Sequence, residues 1–180
     1  LYHRFKLALE KTAVDNTEAT VEATVDRLNA DLLDIRQILN GANYNVVQQF
    51  DISSREFSEQ FSLLYETNSD KIQSVALYDQ KGNLIASEPV AAEKKNVRVQ
   101  TQEWFKNAED VIENIHFSTP HIQELFEDGS YRYQWVVSLS RYVDVNKGEI
   151  PETGILLLDM KYSVIRDVMK QINDCSGGIY

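Results

Sequence analysis

Few side chains in this chain have the type and spacing that chemistry requires. Trp104 stands beside Phe105 at the start of a short helix-forming stretch. An indole offers a broad ring for stacking and one polar edge for orientation, which suits a sugar-like or heterocyclic guest; the same ring serves equally well to anchor its helix in a core. His116 and His121 flank Ser118-Thr119-Pro120, with Glu124 three residues further on. A metal needs three or four converging ligands, and two histidines in a proline-containing loop do not supply them. The expectation is a mobile loop over a pocket, with His121 as a polar contact. Along 131–143, Tyr131, Tyr133, Trp135, Val137 and Leu139 alternate with Arg132, Gln134, Val136, Ser138 and Ser140. The first set fits a packed sheet face, while the second is polar for a sheet surface. That second face either meets water or floors a pocket, and in a pocket Gln134 and Ser138 are the contacts. Arg141 is expected to pair with a nearby carboxylate.

Enzymatic signatures are missing. No glycine-rich phosphate loop, nucleophile elbow or zinc-protease helix occurs. Carboxylate pairs arise by chance in a chain with 28 Asp and Glu, so they do not identify acid–base machinery. The chain is expected to be non-catalytic and to use no metal or other cofactor. Against those acids stand 18 Lys and Arg, for a net charge of -10. Without a basic stripe, nucleic acid is excluded as a partner.

The elements that position these side chains follow from periodicity. The 180 residues are 43% hydrophobic, enough for a core. Leu7, Val14, Val21, Leu28 and Ile35 recur every seven residues, joined by Val25, Leu32 and Leu39 on an adjoining track. This is the stripe of a long amphipathic helix, with a stop expected at Asn40-Gly41. Such a helix is about 50–60 Å long. It either projects as a stalk, suited to pairing two copies, or packs lengthwise on its own domain. A second helix is expected over Ser54–Thr67, a hairpin over Ile72–Ser87 turning at Gln80–Asn83, and a short helix over Gln102–Ile112. A strand over Tyr131–Val143, a turn region over Asp144–Thr153, a central strand over Gly154–Met160 and a helix over Tyr162–Ile172 complete the pattern. The fold class is α+β, an antiparallel sheet with flanking helices. Cys175, the single cysteine, allows no internal disulfide. No apolar run approaches the ~18 residues of a membrane span. The chain starts at Leu1 without a signal-peptide core and ends on Ser176-Gly-Gly-Ile-Tyr180, which looks like the opening of another strand. It is expected to be a piece of something longer.

From Ile72 to Ile172 the chain resembles a Cache sensor domain, the PAS-like extracellular fold. The resemblance is carried by Val75-Ala-Leu-Tyr-Asp-Gln-Lys-Gly-Asn-Leu-Ile85, Glu103-Trp-Phe-Lys-Asn-Ala108, Val136-Val-Ser-Leu-Ser-Arg141 and Gly154-Ile-Leu-Leu-Leu-Asp-Met-Lys-Tyr162. Within it, Ser138-Leu-Ser-Arg141 is similar to the extracellular part of YesM-type sensor histidine kinases. The resemblance implies a pocket on one sheet face, roofed around Trp104, with Trp104, Asp159 and the inward side chains of 131–143 facing a ligand. Asp159 matches the acidic position that amino-acid-binding Cache domains use for the ligand amine; a cap for the helix near Tyr162 is its alternative role. The Arg expected before Trp104 and the Tyr expected after it are Gln102 and Phe105 here, so the cation for a ligand carboxylate is missing. The implied organisation is a stalk helix over 1–50, a sensor domain over 51–175 and the start of a further module at 176–180. The implied function is extracellular sensing of a small molecule of unknown identity by a bacterial membrane-anchored receptor. A two-component histidine kinase is the expected output. A chemotaxis receptor, a cyclic-dinucleotide signalling protein and a structural oligomerisation module are the alternatives.

Overall fold

The computed structural model of the protein describes residues 2–112, 114–127, 134–166 and 170. Two compact units divide the chain, one of 1–33 with 163–180 and one of 34–162. In the first, helix α1 (Tyr2–Gly41) begins, and a helical stretch occupies 163–166. Leu7, Val14 and Val25 of the stripe are exposed, whereas Thr24 is buried and donates its hydroxyl to the Thr20 carbonyl at 2.7 Å. Among the described residues, no helix is long and apolar enough to cross a membrane.

The second unit opens with the last turns of α1. The α-helix ends at Gly41, where the stop is expected, but the chain does not leave the helical path there. Gly41 keeps right-handed angles, φ −60° and ψ −44°, and the chain continues as a π-helical segment, Ala42–Val47. The reason is burial: Ile35, Ile38, Leu39, Ala42, Val46 and Val47 are all inside, so the apolar face runs on past the glycine. The compact unit that bears the sheet runs from Asp34 to Tyr162. Helix α2 (Arg55–Thr67) is capped by Ser54, whose hydroxyl accepts from the Phe57 N–H at 3.0 Å. Its buried Phe57 and Phe61 stack at 5.3 Å.

The sheet is antiparallel throughout. Its strands are β1 (Ile72–Asp79), β2 (Leu84–Glu88), the short β3 (His116–Phe117) and β4 (His121–Ile122), then β5 (Trp135–Lys147) and β6 (Ile150–Lys161). Their order is β2-β1-β6-β5-β3, with β4 also paired to β5. The β1–β2 turn places Gly82 at φ 77°, and the Asp79 carboxylate accepts from the Lys81 and Asn83 N–H groups at 2.9 and 2.7 Å. The expected turn region over Asp144–Thr153 is instead a tight hairpin. The β5–β6 ladder runs on to Lys147↔Ile150, and Gly148, at φ 68°, takes the corner. Of the strand expected from Tyr131, Tyr131 to Tyr133 lie outside the described residues, as do Cys175, Ser176–Tyr180 and much of the expected closing helix.

Both faces of the sheet are covered. One carries Ser74, Ala76 and Tyr78 of β1 beside Asp159, Leu157 and Ile155 of β6 and Ser138, Ser140 and Tyr142 of β5. Helix α3 (Glu103–Asp110) packs there, and Trp104, Phe105, Ala108, Leu125 and Phe126 share one core with the sheet. The opposite face buries Leu77, Leu139, Leu156 and Leu158. The alternation expected of β5 is thus corrected: Val136 to Ser140 are buried without interruption, while Trp135 is half exposed. Over Val136–Ser140 neither face of β5 is wet.

Candidate ligand-binding site

Asp159 is the chemical centre of the α3 side. Three central strands bring one polar group each to the same level, Ser74 from β1, Asp159 from β6 and Ser138 from β5. Ser138 Oγ donates to Asp159 Oδ1 at 2.5 Å and Ser74 Oγ to Oδ2 at 3.0 Å. Asp159 lies within β6, and these two bonds run across the sheet to the neighbouring strands. The carboxyl is wholly buried, and burial raises its pKa above the ordinary 3.8; the Ser138 and Ser74 hydroxyls and the charge of His121 oppose that rise. Two neutral hydroxyls are weak compensation for an ion taken out of water.

A cavity of about 170 Å³ adjoins this carboxylate, lined by Trp104, His121, Gln123, Leu125, Ser138 and Asp159, with Gln102 and Ile122 at its margin. At about 30 Å³ per water it holds roughly five waters' volume, or a guest of a few heavy atoms. Trp104 belongs both to the core and to the cavity wall. Its ring packs against Tyr78 at 5.4 Å and Phe105 at 5.6 Å, and it also walls the cavity. Its carbonyl accepts from Ser140 Oγ at 2.8 Å, which fixes the start of α3 against β5.

The segment over the cavity is tied down, contrary to the expected mobile loop. β3 and β4 pair with β5 on either side of a three-residue excursion, and Ser138 and Ser118 exchange bonds, N–H to hydroxyl at 2.9 Å and N–H to carbonyl at 2.8 Å. His121 Nδ1 lies 2.9 Å from the Thr119 carbonyl, which requires a proton on that nitrogen. Nε2 then faces Ser138 Oγ at 3.3 Å. Ser, His and Asp meet here with the Asp bonded to the Ser and not to the His, an order that differs from the Ser-His-Asp relay. Among the described residues, no group of three His, Cys, Asp or Glu side chains forms a metal site.

Trp104, His121, Ser138 and Asp159 are therefore brought together. Gln134 is not. It is exposed just before β5 begins, and only its carbonyl is engaged, by the Gln123 N–H at 3.0 Å. Arg141 also departs from expectation. It meets no carboxylate; its guanidinium donates to Asn40 Oδ1 at 2.6 Å and the Tyr44 hydroxyl at 2.9 Å, on the opposite sheet face. Two site residues escaped the sequence reading, Ser74 and Gln123. Gln123 is 3% exposed, and neither its amide oxygen nor its amide nitrogen has a partner among the described residues. Each such orphan costs about 1–3 kcal/mol.

No protein-family model matches the chain, and no curated protein matches it. Among solved structures, the sensory domain of the Campylobacter jejuni chemoreceptor Tlp3 with isoleucine bound aligns at TM-score 0.68 and 11% identity, over 93% of this chain and 65% of that one. The ligand-binding domain of the Pseudomonas aeruginosa amino acid chemoreceptor PctC with GABA aligns at 0.60 and 17% identity, over 85% and 62%. That of the Pseudomonas fluorescens chemoreceptor CtaA with L-serine aligns at 0.56 and 15% identity, over 91% and 63%. The chain thus spans under two thirds of these domains. The fold is that of the Cache-like sensor domains.

Proposed function

We propose that this chain is the extracellular ligand-sensing domain of a bacterial membrane receptor, and that its guest presents a primary amine to Asp159. The observation that carries this reading is the carboxylate itself: wholly buried, facing a cavity, and held only by Ser74 and Ser138 hydroxyls. An ammonium supplies the missing countercharge, and the Trp104 face adds a cation–π contact. L-serine, isoleucine and GABA, bound by the solved neighbours, each carry such an amine. The neutral Gln102 beside Trp104 supports an amine whose recognition does not depend on a guanidinium–carboxylate pair.

The output module lies outside this chain. The Ser138-Leu-Ser-Arg141 resemblance supports a two-component histidine kinase, and the chemoreceptor neighbours support a chemotaxis receptor. The exposed Leu7, Val14 and Val25 of α1 support a membrane-anchored homodimer paired through that helix. In either setting the ligand acts through its differential affinity for two arrangements of the receptor.

Thermal-shift titration with amines, amino acids and sugars tests the reading. An amine at 100 times its dissociation constant adds about 2.7 kcal/mol of stability. Asp159→Asn abolishes that response. A response from neutral sugars alone, unchanged in Asp159→Asn, removes the amine from the account.

A further inference from the structure

The cavity beside Asp159 shares part of its wall with a second, larger recess. Ile122, Gln123 and Glu124 line the cavity and also line an open groove of about 930 Å³, whose other walls include Lys94, Lys95 and Phe126. Two segments that pair with each other contribute its walls: Lys94 N–H donates to the Leu125 carbonyl and Glu127 N–H to the Ala92 carbonyl, both at 2.8 Å. Gln123 stands at the junction, buried, with a free donor and a free acceptor in one planar amide. Such a pair matches a backbone N–H and C=O presented side by side by an extended residue. A free amino acid has no amide to offer it.

We infer that the ligand is a short peptide, its N-terminal ammonium at Asp159, its first peptide groups on the Gln123 amide and its remaining length in the groove. This rests on the amine reading above and extends it. The groove's charge agrees: Lys94 and Lys95 stand against Glu124 and Glu127, so it is no bare anion site. It suits a chain of neutral amides ending in a single carboxylate. Gln123 lines both the 170 Å³ cavity and the groove, so a peptide that reaches from one into the other engages its amide while displacing the groove's water.

Isothermal titration with the set of X-Ala dipeptides, each beside its own free amino acid X, tests the inference. At least one dipeptide is expected to bind about tenfold or more tightly than its free amino acid, and its N-acetylated form not at all. Gln123→Met keeps the side chain's length and removes both orphan groups. It should leave the melting temperature unchanged or raised while erasing the dipeptide's advantage over its own free amino acid. Free amino acids binding as tightly as every dipeptide, or an advantage that survives Gln123→Met, overturns the peptide assignment and leaves the amine reading standing. Binding of no amine, dipeptide or free amino acid, overturns both.

Discussion

At the residue scale, the decisive quantity is the protonation of Asp159. Burial raises this carboxyl above its ordinary 3.8, so the folded empty chain holds the proton more tightly than the unfolded chain. Its contribution to folding is then most favourable below the ordinary carboxylate value and declines as pH rises through the folded one. Asp159→Asn lacks this titration. Melting curves against pH should show the native chain losing stability relative to Asp159→Asn as pH increases from about 4; parallel curves would remove the buried charge from the argument. A bound ammonium reverses the sign, so amine affinity should rise over the same interval. Ser74→Ala withdraws one of the two donors and should cost about 1–3 kcal/mol, measured by denaturant unfolding. Trp104, His121, Ser138 and Asp159 were legible in the sequence because each is a chemically expensive residue in an otherwise apolar or patterned stretch. Ser74 and Gln123 were not, since a lone serine in a strand and a glutamine in a loop look like solvated surface until the opposing elements arrive. Gln134 failed for a related reason: alternation predicts a face only where the strand has begun, and β5 begins one residue later.

At the element scale, periodicity located α2, the β1–β2 hairpin, α3 and β6 closely. It misjudged ends. The polar stretch over Asp144–Thr153 looks like a loop, yet β5 and β6 extend through it because a long two-stranded arm satisfies its own backbone with exposed side chains. Gly41 looks like a terminator, yet packing decides that helix end. Gly154 is a glycine that matters: a Cβ there would stand 2.3 Å from the Tyr78 carbonyl, inside the β1–β6 pairing. Gly154→Ala should therefore destabilise by about 1–3 kcal/mol or more, with amine binding weakened, since the same two strands carry Ser74 and Asp159. An unchanged unfolding midpoint would show that the strands part without cost. Ser54→Ala should cost about 1 kcal/mol through the lost cap of α2, with ligand affinity unaffected, because α2 contributes nothing to the cavity.

At the scale of the whole molecule, pairing through α1 makes a separate prediction. Val14 is 62% exposed, so Val14→Asp should leave the melting temperature of the sheet-bearing unit unchanged while sedimentation velocity shifts from dimer to monomer. A dimer that survives would take α1 out of that role. A last consequence comes from the sequence distances within the site. Ser74 and Asp159 meet across 85 residues of chain, and Ser138 and Asp159 across 21. The recess proposed for an amine accordingly has no partial form: a nascent or clipped polypeptide lacking any one of the three strands lacks one of its three polar groups. On the proposed reading, occupancy is then also a certificate of completed topology, and damage to the fold should silence the signal rather than mimic it.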